Sequence, residues 1–213
     1  LLKKVASKKK PVLLSTGASS ISEINNAISV LNSSKCKNIV VMHCILSYPA
    51  KNEHANLGMI SDLKKKFPKN IIGYSDHTLP DREMTNMYTS YVLGAKVLEK
   101  HFTLNKKAKG NDHYHSMDFK DLINLKKIIL NANKIIGSNQ KKHLKIEYNS
   151  RKYARRSLVL KNDLDKNSRI KMNNIICKRP GIGISPIYLE KILGKKVKKK
   201  LKEDHILKWA DLK

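Results

Sequence analysis

The amino-acid sequence predicts an α/β fold, the C-terminal half of an eight-stranded parallel barrel (a TIM-type (β/α)8 barrel), followed by a small, mostly β domain. Two observations predict it. In the first 137 residues, short apolar runs rich in β-branched residues alternate with helical patterns. Beyond a polar stretch, short strand patterns separated by Gly and Pro then replace most of the helices.

The apolar runs predict four buried parallel strands. They are Val12-Leu13-Leu14, Ile39-Val40-Val41, Ile71-Ile72 and Val97-Leu98. They recur about every 25–30 residues, the size of a repeated β-α unit. Four such units fit either a small open doubly wound sheet or half of a barrel. Because the chain begins at Leu1 inside a helical pattern, we expect the N-terminal half to be missing, which favours the half barrel.

Helical patterns with clear start and stop signals fill the intervals between the strands. Ser20 and Glu23 form a capping box that opens the first of them. The second is predicted from the apolar residues Met59, Ile60, Leu63 and Phe67, the third follows Asp81, and the fourth runs from a cap at Asp118 to a stop at Gly137.

The domain organisation follows from the change of pattern at Gly137. We predict a partial barrel at 1–137, a linker at 138–150 and a small β domain at 151–213. In the small domain the strand candidates are Ser157–Leu160, Ile175–Cys177 and Lys196-Val197, with one short helix from Ile187 to Leu193.

The formal net charge of +27 would by itself suggest a nucleic-acid partner. The cations are mostly Lys, however, and they are spread along the whole chain with few aromatic neighbours. Only residues 195–200 form a dense basic run. We therefore expect a solvated basic surface and no nucleic-acid partner, although a positive field helps to gather anionic substrates.

Two further observations concern the compartment. No apolar run approaches the roughly 20 residues of a membrane span, and the first residues do not resemble a signal peptide. The three cysteines lack the spacing of a metal site. We interpret them as reduced thiols of a cytoplasmic protein without a membrane partner.

Polar clusters follow all four predicted strands, at the ends where barrel enzymes carry their active sites. The clusters are Ser15-Thr16-Gly17, His43-Cys44 with Tyr48-Pro49, Ser75-Asp76-His77-Thr78 and Glu99-Lys100-His101. One such cluster is ordinary, whereas four in succession indicate a shared catalytic mouth.

His77 and His101 end neighbouring strands, so their imidazoles can share a metal ion. Two His with water and substrate oxygens suit an octahedral ion such as Mn²⁺; alternatively, each His only hydrogen-bonds a loop. Glu99 alternates with His101 and faces the same side of its strand, the barrel interior. There it is a general acid/base candidate, although a structural salt bridge to a Lys explains it equally well.

Two weaker signals flank these residues. Ser15 and its small neighbours precede a helix, where free backbone N–H groups can bind a phosphate. The polar loop at 110–116 contains His113 and His115, which we interpret as residues of the rim more than as metal ligands.

Taken together, the motifs closely resemble the sialic acid (N-acetylneuraminate) synthase family in order and spacing. They are Ser15-Thr16-Gly17, His43-Cys44 with Tyr48-Pro49, Gly73-Tyr74-Ser75-Asp76-His77-Thr78, Leu98-Glu99-Lys100-His101-Phe102-Thr103 and Gly110-Asn111-Asp112-His113. Ala154-Arg155-Arg156-Ser157-Leu158 and Lys178-Arg179-Pro180-Gly181-Ile182-Gly183 resemble the antifreeze-like (SAF) domain that ends these enzymes. The resemblance covers essentially the whole chain.

The resemblance implies that phosphoenolpyruvate condenses with N-acetylmannosamine, its 6-phosphate or a related N-acyl hexosamine. The product would be a nine-carbon 2-keto sugar acid, with phosphate released. A divalent metal, Mn²⁺ or Mg²⁺, would polarise the aldehyde of the acceptor. The implied roles are metal ligation by His77 and His101, catalysis by Glu99 and Tyr48, and substrate binding by Ser15, Ser75, Asp112 and Arg179.

The resemblance also implies an assembly and leaves questions open. Arg179 would reach into the barrel of a partner subunit, which requires a domain-swapped homodimer. Leu46 stands where many relatives carry a polar residue, often Asn, so the choice of acceptor sugar is open. With half of the barrel missing, we expect the fragment to be inactive alone.

Two other functions remain open at this stage. One is a basic binding module for nucleic acid or an anionic polymer. The other is a different phosphoenolpyruvate-using barrel aldolase, which would not need the antifreeze-like tail.

Overall fold

The computed structural model describes residues 1–110 and 112–213, which form two compact units, Leu1–Gly137 and Ser138–Lys213. Asn111, part of the loop motif above, lies outside the described residues. No helix in the described part of the chain is both long enough and apolar enough to cross a membrane.

The first unit alternates strands and helices along the chain. Its elements are α1 (Leu2–Ala6), β1 (Val12–Ser15), α2 (Ile21–Ser33), β2 (Ile39–Cys44), α3 (Gly58–Lys66), β3 (Ile71–Asp76), α4 (Thr85–Leu93), β4 (Val97–Lys100) and α5 (Phe119–Ile136). The four strands pair in parallel in the order β1-β2-β3-β4. Because the spatial order never reverses, as it does in an open doubly wound sheet, the half-barrel prediction is confirmed.

Two of the four predicted helix starts carry the expected caps. Ser20 and Glu23 form the capping box of α2, and the Asp118 carboxylate accepts hydrogen bonds from the first turn of α5. The third helix begins later than the position of Asp81 suggests. Met84, predicted inside it, takes a left-handed conformation (φ 50°), and the Asp81 carboxylate accepts a hydrogen bond from the Thr85 N–H. The helix therefore starts only at Thr85.

The alternating side chains give the sheet two faces. One face packs against the helices, where Val41 and Tyr74 are buried beside Leu31 and Ile60. On the opposite face, Cys44, Ser75 and Glu99 lie side by side across β2, β3 and β4. Ser75 and Glu99 therefore share the face that lines the interior of a barrel.

Gly73 allows β3 to fit between its neighbours. A Cβ atom at this position would lie 2.2 Å from the Met42 Sδ and 2.9 Å from the Val97 carbonyl oxygen. The absence of a side chain therefore sets the close approach of three strands directly below the polar strand ends.

The second unit contains α6 (Tyr148–Ala154), an antiparallel pair β5 (Ser157–Leu160) and β6 (Ile175–Lys178), and the short α7 (Leu189–Ile192). It has its own core, in which Leu158, Leu160, Ile192, Val197 and Leu207 are fully buried. The expectation of a strand at Lys196-Val197 is wrong. These residues make only isolated bridges because the chain there pairs with separate loops at Arg169 and Leu212.

Candidate active site

Ser75 and Glu99 are joined by a hydrogen bond on the interior face of the sheet. The Ser75 hydroxyl donates to the Glu99 Oε1 at 2.7 Å across the β3–β4 register. Ser75 is buried and Glu99 is exposed. The neighbouring Lys100 forms its ion pair with Asp76 instead of Glu99. The carboxylate is thus oriented by a hydroxyl and remains open to a ligand.

On the helix-facing side, Asp76 and Lys100 form a buried ion pair. The Lys100 Nζ lies 2.7 Å from the Asp76 Oδ2, with side chains 0% and 2% exposed. The Asp76 Oδ1 accepts hydrogen bonds from the Tyr74 hydroxyl and from the Thr78 N–H and hydroxyl. Burial and the Asp76 charge raise the pKa of Tyr74, so the phenol stays protonated and donates. The sequence motifs contained this pair, but sequence reasoning gave it no role.

His77 is held in one tautomer by the backbone. Its Nδ1 lies 2.8 Å from the Ile45 carbonyl oxygen. A carbonyl only accepts, so we assign the ring proton to Nδ1, which leaves the Nε2 lone pair available for a metal ion. The Tyr48 ring packs on His77, with ring centroids 4.3 Å apart, and the His101 ring lies 5.5 Å from His77. The structure thus brings together three of the predicted site residues.

Asp112 and His115 join His101 in a second cluster. The His101 Nδ1 lies 3.7 Å from the Asp112 Oδ2, and the His115 Nε2 lies 3.9 Å from the Asp112 Oδ1. One potential ligand atom from each residue lies within 4.8 Å of the other two. This is a set of donors that can hold a divalent cation.

The expectation that His115 lies on the rim is wrong. The residue is 1% exposed, and neither ring nitrogen has a hydrogen-bond partner among the described residues. Burial, followed by the charge of His101, lowers the pKa of His115 and keeps the imidazole neutral. His113 instead bonds the Thr103 hydroxyl at 2.7 Å. The segment forms a turn, so the alternation of an extended chain, on which the sequence argument depended, does not apply.

Ser15, at the end of β1, is not part of this cluster. Ser15 is exposed and pairs in register with Met42, two residues before the row of Cys44, Ser75 and Glu99. The neighbouring Thr16 hydroxyl donates to the Met42 carbonyl oxygen at 2.8 Å. The phosphate-binding role of Ser15 stays a prediction.

Arg179 belongs to the second unit. Its side chain is exposed, and its Nε donates to the Ala154 carbonyl oxygen at 3.0 Å. The same unit has a cavity of about 640 Å³, whose lining includes the basic residues Arg151, Lys152, Arg155 and Arg156. The predicted contact of Arg179 with a substrate in a partner barrel stays a prediction.

Family comparisons agree with this architecture. A family model described as the NeuB family matches residues 1–141, and one described as the SAF domain matches residues 155–213. The chain is 44% identical over its full length to an uncharacterized protein of Methanocaldococcus jannaschii. It is 39% identical, over 97% of its length, to the N,N'-diacetyllegionaminic acid synthase of Campylobacter jejuni. The chain spans 62% and 61% of the length of these two relatives.

Solved structures agree with the same architecture. The whole chain superimposes on 63% of a putative spore coat polysaccharide biosynthesis protein E of Chromobacterium violaceum, with a TM-score of 0.86 and 23% identity, which concerns the fold alone. About 70% of the chain superimposes on half of an N-acetylneuraminic acid synthetase of Leptospira borgpetersenii, with a TM-score of 0.63 and 32% identity. The predicted family resemblance is therefore confirmed.

Proposed function

This chain belongs to the NeuB family, and from that premise we propose that it is the C-terminal part of a nonulosonic acid synthase. The reaction is the condensation of phosphoenolpyruvate and water with an N-acyl hexosamine or its 6-phosphate, in which water adds at carbon 2 of phosphoenolpyruvate and the C–O bond to its phosphate breaks; it yields a nine-carbon 2-keto sugar acid, which keeps any phosphate of the acceptor, and inorganic phosphate. The observation that carries the proposal is the convergence of Ser75, Glu99, His77 and His101 at the carboxyl ends of β3 and β4.

The residues at this mouth suit a divalent cation, Mn²⁺ or Mg²⁺. The Nδ1 of His77 bonds the Ile45 carbonyl oxygen, which leaves the Nε2 lone pair available, and an imidazole whose ring is oriented in this way is a good ligand. His101 lies beside it, and the carboxylate of Asp112 is near His101. We propose that His77 and His101 hold the cation. When bound, it supplies Lewis-acid polarisation of the carbonyl oxygen of the acceptor.

The chain's own groups then have distinct tasks. Ser75 orients the Glu99 carboxylate through their 2.7 Å hydrogen bond and, with Ser15, binds phosphoenolpyruvate. Glu99 transfers the proton that the aldehyde oxygen gains as the new carbon–carbon bond forms, which is general acid catalysis. Tyr48 is half-exposed and packs on His77, so it forms a wall of the site that can contact the substrate.

Similarity to a relative with a named product narrows the choice of acceptor sugar. The Campylobacter jejuni relative is named for a product that carries two acetyl groups, which favours a diacetamido sugar for this chain. Leu46 is 65% exposed near the same mouth and offers an apolar surface where many relatives are polar. We propose that this surface contacts an acyl or methyl group of the acceptor.

The assembly and compartment belong to the same proposal. Arg179 reaches the barrel of a partner subunit and contacts the N-acyl group, so the working enzyme is a domain-swapped homodimer. The three cysteines are all free thiols, as is usual in the cytoplasm, where we place the enzyme.

The test uses the longer protein that contains both halves of the barrel. Phosphate release is measured with phosphoenolpyruvate and a panel of N-acyl hexosamines, with Mn²⁺ and with excess chelator. We expect release only with the metal and a matching sugar. His77→Ala should abolish it, whereas Lys66→Met, far from the strand ends, should not. Release in excess chelator would contradict the metal role, and the absence of release with every sugar would contradict the activity.

A further inference from the structure

His115 is a buried polar side chain of the first unit whose ring nitrogens form no hydrogen bond with any residue that the structure describes. It is 1% exposed, and in the described part of the chain neither Nδ1 nor Nε2 has a partner. A buried polar group in this state has lost its hydration without compensation. Such groups are rare in native proteins, and a bound ion is one of the few explanations for them.

Two neighbouring residues supply further donors around the same gap. The Asp112 carboxylate lies beside both rings, with one oxygen 3.7 Å from the His101 Nδ1 and the other 3.9 Å from the His115 Nε2. Both distances are too long for hydrogen bonds. They are only slightly longer than the roughly 3–3.5 Å between neighbouring donors around an ion with bonds of about 2.1 Å.

We propose that His115, together with Asp112, is a further direct ligand of the divalent cation that we assigned to His77 and His101. This set of donors suits Mn²⁺, Fe²⁺ or Zn²⁺ better than Mg²⁺, which prefers oxygen ligands. The inference deepens the proposed function and rests on it for the role of the metal, because the cation is the one assigned to the His77–His101 pair.

The second histidine of the same loop provides a matched control. His113 lies two residues before His115, bonds the Thr103 hydroxyl, and lies outside the cluster of donors. A change at His113 therefore disturbs the same loop without removing a proposed ligand.

The experiment measures Mn²⁺ binding to the 213-residue chain without any reaction. Free Mn²⁺ is titrated by electron paramagnetic resonance for the wild type, His115→Ala, His115→Gln and His113→Ala, and circular dichroism verifies that each variant is folded. We expect both His115 variants to raise the Kd by at least roughly tenfold, and His113→Ala to leave it unchanged. Pulsed measurements of ¹⁴N couplings should show one fewer coordinating nitrogen in His115→Gln.

Four results would overturn the inference. They are an absence of Mn²⁺ binding by the wild type, equal affinity in the His115 variants, an equal loss in His113→Ala, and a weaker site with an unchanged number of coordinating nitrogens. The last would show that His115 only positions His101 and Asp112. If binding depends on His115 as expected but the longer protein consumes no phosphoenolpyruvate, the inference stands and the proposed function fails.

Discussion

The buried ion pair between Asp76 and Lys100 gives the sharpest prediction about stability. Lys100→Met should lower the free energy of unfolding by about 3–5 kcal/mol, because it leaves the Asp76 carboxylate charged and buried. Both side chains are almost fully buried, so water cannot replace the ammonium group. A typical domain is stable by only about 5–15 kcal/mol, so this change removes a large part of the total.

The chain contains a matched exposed pair of the same residue types. The Lys66 Nζ lies 2.6 Å from the Asp62 Oδ2 on α3, with side chains 45% and 52% exposed. Because solvent screens this pair, Lys66→Met should cost no more than about 0.5–1 kcal/mol.

Urea unfolding followed by circular dichroism measures both changes. The double variant Asp76→Asn with Lys100→Met should recover part of the loss, since it removes the stranded charge as well as its partner. The explanation fails if Lys100→Met costs no more free energy of unfolding than Lys66→Met. It also fails if the cost of the double variant equals the sum of the costs of the single variants Asp76→Asn and Lys100→Met.

Three further predictions concern the sheet, the pH response and the assembly. Gly73→Ala should cost roughly 1–3 kcal/mol in urea unfolding, because its Cβ would clash with Met42 and the Val97 carbonyl oxygen; an unchanged midpoint would contradict the close approach of the strands. Burial lowers the pKa of His43, so the unfolded chain binds more protons, and stability should fall as the pH drops below about 6.5. In His43→Gln this fall should be smaller, and an identical pH profile would rule out the contribution of His43. In the longer protein, mixing inactive Glu99→Gln and Arg179→Ala subunits should restore up to about a quarter of the wild-type rate of phosphate release, as expected of a site shared between subunits; a mixture that stays inactive would contradict the domain-swapped dimer.

Much of the fold follows from local sequence signals. The apolar runs identify the four strands described in the first unit. Ser20 and Asp118 mark the starts of α2 and α5 because their side chains accept hydrogen bonds from backbone N–H groups of the first turn. Where the local signal was ambiguous, the prediction was less accurate. Asp81 bonds the backbone near α4 without starting the helix at the expected place, and Lys196-Val197 does not form a strand.

The sequence by itself determined that Ser75 and Glu99 stand near strand ends, since the apolar runs that precede them locate the strands. That Glu99 shares a face with His101 stays a prediction, because β4 ends at Lys100. Only the tertiary structure decided that Ser75 bonds Glu99, that Asp76 pairs with Lys100, and that His115 is buried beside His101. These contacts depend on the register between separate strands and on a turn in a polar loop. Both are set by packing between distant segments, which local sequence patterns do not specify.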